Sequence, residues 1–197
     1  NIAASLAVTY DCLYGYFKST GNEMLNCKTR DLIYELAMLL STSRPTALSM
    51  ETDSHRAREL GVLGLCALVI GDYKVPPESA TPHELYERAN AGLKKILQRQ
   101  ICRDGVWAEG PGAYFEAATG FIPYMVVNRR LTSEILLDDA GINTMGWIVR
   151  LRMPNGMRPN IENSSYTPGL TFMLPALINN VPPFLAWDAK TSDLKSQ

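Results

Sequence analysis

Apolar residues recur at intervals of three or four positions along most of the chain, and no segment shows the strict alternation that is typical of a β-strand. The clearest helix start is TPHE, where Thr81 can cap, Pro82 suits the first helical position and Glu84 can complete a capping box. This pattern predicts an all-α fold of about six or more helices. Besides the helix that begins at TPHE, we expect helices at about 2–17, 23–41, 55–71, 112–130 and 132–151, the fifth of these six being kinked or divided at Pro123.

The composition is that of a single globular domain. The 197 residues are 46% hydrophobic, and the formal net charge of −1 gives no indication of a nucleic acid or an anionic membrane as partner. The longest apolar run, at 60–70, is far shorter than the roughly 20 residues that cross a bilayer. We expect a helical domain over 1–181, truncated at its N-terminus, and an extended tail over 182–197, where the helical periodicity is lost.

A glycine-rich connection, DGVWAEGPGAY at 104–114, joins two of the predicted helices. Its glycines allow positive φ angles, and Trp107 could simply anchor the connection against the core. However, Trp107, Glu109 and Tyr114 lie unusually close together for an ordinary loop. An aromatic face suits a sugar ring, and Glu or Tyr can supply hydrogen bonds or transfer a proton, so we interpret this connection as a candidate binding loop.

A second polar segment, DSHRARELG, opens the predicted third helix. Asp53 or Ser54 could cap that helix, with His55 in its solvated first turn. Alternatively, the helix N-terminus together with Arg56 and Arg58 could form a site for an anionic ligand. These two interpretations remain open at this point.

The remaining polar residues carry weaker signals. His83 follows Pro82 at a helix start, where an exposed position without a chemical role is expected. The four cysteines lack C-x-x-C spacing and are expected to be buried free thiols. The prolines and the glycine of LRMPNGMRPNIENSS at 151–165 predict a turn. An ordinary solvated loop would account for this segment, although it also gathers polar groups such as Arg158 and Asn163. Sequence motifs for ATP, dinucleotides, zinc proteases and serine hydrolases are absent, so no cofactor and no metal are predicted.

Taken in order, four segments resemble the heparinase II/III-like polysaccharide lyases, which are built on an incomplete α/α toroid. They are LAVTYDCLYGYF at 6–17, DSHRARELGVLGLCALVIGD at 53–72, DGVWAEGPGAY at 104–114 and MPNGMRPNIENSS at 153–165. Together they span about residues 6–165. The family usually has asparagine where this chain has Ser54, and Asp53 would repel an acidic sugar unless Arg56 or Arg58 compensates.

The resemblance implies β-elimination at a uronic acid of an acidic polysaccharide. It places His55 as a base or carboxylate-binding group and Tyr114 as a base or acid. It further implies a C-terminal β-sandwich domain and a periplasmic or secreted location. Substrate contacts are expected from Ser54, Arg58, Trp107, Glu109, Arg158 and Asn163.

Two other functions stay open. One is an α/α-toroid glycoside hydrolase with Glu109 as general acid and Asp53 or Asp104 as base, which would need two carboxyl groups about 5–9.5 Å apart. The other is a noncatalytic carbohydrate-binding helical domain, which is favoured if His55 and Tyr114 do not converge on one cleft.

Overall fold

A computed structural model describes residues 2–42 and 54–134, together with five isolated positions between 136 and 151. Within these residues the chain is helical, and the only β contact is a single bridge between Ile101 and Trp107. The predicted all-α class is therefore confirmed. The helices are α1 Ile2–Thr20, α2 Glu23–Thr42, α3 Ser54–Val69, α4 Pro82–Gln100 and α5 Gly110–Thr132.

The described residues form five helices, rather than the six or more that the sequence predicted. The helix expected at about 132–151 falls mostly outside the described residues, as does the tail over 182–197. The first five predicted positions agree with the structure to within a few residues, because each helix carries its own apolar face.

The predicted start of α4 is confirmed in detail. The Thr81 side chain accepts the backbone N–H of Glu84, and the Glu84 carboxylate accepts the backbone N–H of Thr81 at 2.7 Å. These two bonds satisfy donors that would otherwise be left open at a helix N-terminus. They also hold the pKa of Glu84 below its usual value, mainly through the bond from the Thr81 backbone.

The expected division of the helix at Pro123 is wrong, because α5 runs without interruption from Gly110 to Thr132. The alternative expectation, a kink at Pro123, stays a prediction. Proline removes one backbone donor, which leaves the carbonyl four residues earlier, at Thr119, without its helical partner. Thr119 is exposed, so that carbonyl can be hydrated. On either side of the proline, Phe121 and Tyr124 are buried and hold the helix in place.

The helix α3 lies at the centre of the fold. An unbroken run of side chains over 60–67 is buried, which a helix packed on only one side could not achieve. It packs against each of the other four helices, most extensively against α5 and α4. The apolar run LGVLGLCA is therefore a buried core helix, as its length indicated.

The helices α3 and α5 run parallel and approach each other closely. Ser54 contacts Glu109 at the N-terminal ends of the two helices, and Gly64 faces the Tyr124 ring towards their C-terminal ends. A Cβ atom on Gly61 would collide with the backbone of Gly120. Glycine is needed here because only a helix without a side chain at this point lets the two backbones touch.

A polar network joins the first half of α2 to the loop that follows α3. The Arg30 guanidinium contacts the Asp72 carboxylate at 2.5 Å and lies over the Tyr73 ring. The Tyr73 hydroxyl donates to the Asp31 carboxylate at 2.7 Å, and this bond raises the pKa of Tyr73 to about 12. The network fixes the loop after α3 onto α2.

All four cysteines are free thiols, but only Cys66 is buried. The expectation of buried thiols is wrong for Cys12, Cys27 and Cys102, because they lie on outer faces or in a connection although their neighbours in sequence are apolar. Burial raises the pKa of Cys66 to about 12. In the part of the chain that the structure describes, no helix combines the length and apolar character needed to span a membrane.

Candidate functional site

The connection between α4 and α5 is a tight, internally bonded turn. Gly105 donates its N–H to the carbonyl of Cys102, and Cys102 donates to the carbonyl of Val106, each at 2.9 Å. The Asp104 carboxylate accepts the N–H of Val106 at 3.3 Å. Gly105 and Gly110 adopt φ angles of 86° and 85°, which other residues rarely tolerate. The glycines therefore let the chain reverse and start α5.

The turn places Trp107 inside the protein. The indole is 0% exposed, stacks on Phe121 with a ring-centroid separation of 6.0 Å and meets Tyr114 edge-on at 5.5 Å. Its Nε1–H donates to the Ser54 hydroxyl at 3.0 Å, which satisfies the one polar atom of a buried indole. Trp107 thus anchors the connection against α3. Its ring is buried, so the predicted contact with a sugar would require the ring to become accessible.

Glu109 connects the start of α5 to the start of α3. Its Oε2 atom accepts the backbone N–H of Ser54 at 2.9 Å and also accepts the Ser54 hydroxyl proton. A carboxylate at this position satisfies an open backbone donor of α3 and suits the positive end of the helix dipole. The two predicted segments, DSH and EGPGAY, therefore meet through direct bonds.

Ser54 is 2% exposed, and its single hydroxyl proton goes to Glu109 while its oxygen accepts from Trp107. A serine hydroxyl has only one proton to donate. In this arrangement Ser54 therefore holds the two segments together, and the substrate contact that was predicted for it would require the bond to Glu109 to open.

Next to this buried connection lies a more accessible group of charges. The Glu116 Oε1 atom contacts His55 Nε2 at 3.1 Å and Arg58 Nη1 at 2.5 Å. The His55 side chain is 57% exposed, and those of Arg58 and Glu116 are 31% and 37% exposed. His55 and Arg58 are one helical turn apart on α3, so both can face a single carboxylate on α5.

Arg58 is the least exposed member of this group. Its Nε atom is buried and has no hydrogen-bond partner in the described part of the chain. Its backbone lies against Gly120, where any Cβ atom would collide with the Arg58 carbonyl. The base of the Arg58 side chain is therefore fixed by the close contact of α3 with α5, whereas its Nη1 end reaches the accessible carboxylate.

Tyr114 is 1% exposed, and its ring packs among Trp107, Phe115 and Phe121. It lies two positions before Glu116, which contacts His55. The structure thus brings the predicted pair onto adjoining turns of α3 and α5, with His55 accessible and the Tyr114 ring inside.

The other predicted residues are separate from this group or undescribed. Asp104 is exposed and accepts an N–H within its own turn. His83 is exposed, as expected, and stacks on Tyr86. Asp53, Arg158 and Asn163 lie outside the described residues. Among the residues that are described, no group of three or more His, Cys, Asp or Glu side chains could hold a metal ion.

Glu116 is a site residue that the sequence did not indicate. Glu109 comes just before α5 and Glu116 lies in the second turn of that helix. Each of the two carboxylates contacts a residue near the start of α3, Glu109 contacting Ser54 and Glu116 contacting Arg58. These pairs become recognisable only once α3 and α5 are known to lie side by side.

Comparisons with models of protein families, with curated proteins and with solved structures found no significant match to this chain.

Proposed function

We propose that this chain is the helical domain of a polysaccharide lyase that cleaves a uronic-acid-containing polysaccharide by β-elimination. The observation that carries the proposal is the direct junction of the two segments that resemble the lyase motifs. Glu109 of one segment accepts hydrogen bonds from Ser54 of the other, 55 positions away. Their junction leaves a histidine and an arginine accessible on the same turn of α3.

The arrangement of the helices supports an α/α toroid as the architecture. In such a fold, helical hairpins lie side by side, so alternate helices run in the same direction. Here α3 and α5 are parallel. The helix α4 runs in the opposite direction, since Tyr86 bonds Asn128 and Asn90, one turn later, bonds Tyr124. The Cys66 thiol contacts the carbonyl of Ala3 near the start of α1. Later in α1, Tyr10 bonds Asn26 of α2, and one turn further along α2 Arg30 contacts Asp72, which lies beyond the C-terminal end of α3. The helix α1 therefore runs in the same direction as α3. The alternating directions are what a toroid segment requires.

The reaction sets clear demands on the site. The proton at C5 of the uronate is removed, its electron pair forms the C4–C5 double bond, and the C4–O bond breaks with its electrons on the leaving oxygen, which takes up a proton. The negative charge that develops at the carboxylate must be stabilised, and preorganised donors can each contribute about 3–4 kcal/mol to this stabilisation.

We assign these demands to three residues. Arg58 and His55 bind the uronate carboxylate, since their side chains already converge on a carboxylate oxygen. Tyr114 transfers the proton, which requires that a substrate reach the hydroxyl of a ring that is now covered. Glu109 and Ser54 position the starts of the two helices.

Within the described residues, which leave out Asp53, no observation favours the hydrolase alternative. A glycosidase needs two carboxyl groups on opposite sides of a glycosidic bond. The Glu109 Oε2 atom is engaged by Ser54, and the Asp104 carboxylate is engaged in its own turn.

The test is the absorbance of the unsaturated uronate product while the purified protein is incubated with heparin, chondroitin, hyaluronan and alginate. We expect the absorbance to rise with at least one polymer. Arg58→Gln and Tyr114→Phe should each lower the rate by at least about 100-fold, in line with the loss of one charge-stabilising or proton-transferring group. Glu35→Gln, an exposed change on α2, serves as the control.

Release of reducing ends without an absorbance rise would show that the protein is a hydrolase and not a lyase. Binding of a polysaccharide without either product would leave a noncatalytic carbohydrate-binding domain. Turnover that survives in Tyr114→Phe would remove Tyr114 from the mechanism.

A further inference from the structure

The charged group formed by His55, Arg58 and Glu116 contains two nitrogen donors from α3 and one carboxylate from α5. Both donors contact the same oxygen, Oε1 of Glu116, at 3.1 Å and 2.5 Å. A carboxylate is also the part of a uronic acid that a lyase must neutralise. The side chain of Glu116 therefore occupies the position on His55 and Arg58 that an acidic ligand would take.

From this geometry we infer that Glu116 is a built-in competitor for the acidic ligand. It is a specificity-determining residue that holds His55 and Arg58 ready while no ligand is bound and is displaced by a ligand carboxylate. This inference rests on the proposed function, because it names the regulation of the same carboxylate site. A neutral sugar cannot displace Glu116, because it has no negative charge to replace the Glu116 carboxylate as the partner of Arg58.

The exposure of the three side chains is suited to such an exchange. Glu116 is 37% exposed, so its carboxylate can turn into solvent, where water replaces the weak, partly exposed ion pairs that it gives up. The Arg58 side chain cannot follow, because its Nε atom is buried and its backbone lies against Gly120. The donors are thus held by the helix contact, and the carboxylate is the movable partner.

The strength of the competition is limited. An ion pair with partly exposed partners contributes little, and two donors share this carboxylate, so the effect is larger than that of one such pair but still modest. A three- to tenfold change in affinity corresponds to about 0.7–1.4 kcal/mol. Removing the charge of Glu116 should therefore tighten the binding of an acidic ligand by about three- to tenfold.

A matched control exists on α3 itself. Glu59 contacts Arg56 at 3.0 Å, and its side chain is 31% exposed, similar to that of Glu116. Glu59→Gln changes the net charge of the protein by the same amount as Glu116→Gln, but it removes a carboxylate from a different arginine. Any general attraction of a polyanion to a less negative protein will appear equally in both variants.

The experiment measures binding of an oligoglucuronate and of its methyl ester by isothermal titration calorimetry to the wild type, Glu116→Gln and Glu59→Gln. We expect Glu116→Gln to bind the free acid about three- to tenfold more tightly than the wild type does. The methyl ester should show no gain, and Glu59→Gln should remain within about twofold of the wild type. Thermal unfolding of the three proteins will show whether each variant is folded.

Three results would overturn the inference. An unchanged or weaker affinity of Glu116→Gln for the free acid, with binding by the wild type intact, removes Glu116 as a competitor and leaves the proposed function standing. An equal gain with the methyl ester or in Glu59→Gln shows a general charge effect instead. Absence of binding in every protein, together with absence of turnover on the polymer panel, removes the proposed function and this inference with it.

Discussion

The carboxylate of Glu109 accepts the backbone N–H of Ser54 at 2.9 Å, although the two residues are 55 positions apart in the chain. Glu109 comes just before α5 and Ser54 begins α3, so the N-terminus of one helix is capped by a side chain from the start of another. Helix capping usually involves residues next to each other in sequence. Here it couples the stability of α3 to the position of the connection that precedes α5.

Replacing Glu109 by alanine should lower the free energy of unfolding by about 1–3 kcal/mol, because the buried N–H of Ser54 then loses its acceptor. Glu109→Gln keeps one amide oxygen and should cost less than the alanine substitution. Urea denaturation monitored by circular dichroism measures both variants. Glu87→Ala, an exposed change on α4, is the control. If Glu109→Ala were as stable as this control, the contact would make no contribution to stability.

Gly61→Ala should destabilise the fold by about 1–3 kcal/mol, because the added methyl group collides with the backbone of Gly120 and pushes α3 away from α5. Gly15→Ala is the matched control in α1, where nothing lies within 4 Å of the added atom. That substitution should stabilise the protein by about 0.5–1 kcal/mol through helix propensity. Thermal unfolding of the two variants should therefore shift in opposite directions. A shared sign would contradict the close approach of the two helices.

Stability should fall as the pH rises from about 10 to about 12, in part through Tyr73. The bond to Asp31 raises the pKa of Tyr73 in the folded protein to about 12, above its ordinary value of 10.0. The stabilisation from this bond is therefore complete below pH 10 and is lost as the hydroxyl ionises in the folded state. Tyr73→Phe should lower stability at neutral pH and reduce the loss over this range.

Urea titrations at neutral pH and at several values between pH 9 and 12 measure the effect. Tyr16→Phe is the control, since Tyr16 is 58% exposed on α1. An identical pH dependence in Tyr73→Phe and the wild type would show that the bond to Asp31 does not affect stability in this range.

Three of the four cysteines should react rapidly with a thiol reagent at pH 8, and the fourth should react only after unfolding. Cys12, Cys27 and Cys102 are exposed, whereas Cys66 is buried and has a pKa raised to about 12. Only the thiolate is reactive, so both burial and the raised pKa protect Cys66. Colorimetric titration with and without denaturant counts the thiols, and Cys66→Ala should abolish the slow one. Four rapid thiols in the native wild type would contradict the burial of α3.

The positions of the helices could be predicted from the sequence, because each depends on local features. The apolar period locates α1 to α5, and Thr81, Pro82 and Glu84 mark the start of α4 by their types alone. Pro123 does not divide α5, because the packing of its neighbours offsets the single hydrogen bond that proline removes. A local rule fails where tertiary contacts outweigh it.

The site was only partly predictable, for a different physical reason. The sequence indicates Ser54, His55, Arg58 and Glu109 as site residues, and the structure brings them into two adjoining groups. It could not decide whether Trp107 faces a ligand or the core, because the answer depends on a hydroxyl that lies 53 positions away. Glu116 was missed because its partners are on another helix, and the sequence alone does not pair α3 with α5.

The parallel contact of α3 with α5 also has a consequence for the order of folding. Along the chain, α3 and α4 are separated only by residues 70–81, whereas α3 can meet α5 only after the whole of α4 and both connections have been placed. Contacts between residues that are distant in sequence require more loop-closure entropy and form more slowly. We therefore expect the bond between Ser54 and Glu109 to be among the last to form during folding. A chain halted before α5 would contain helices but no site.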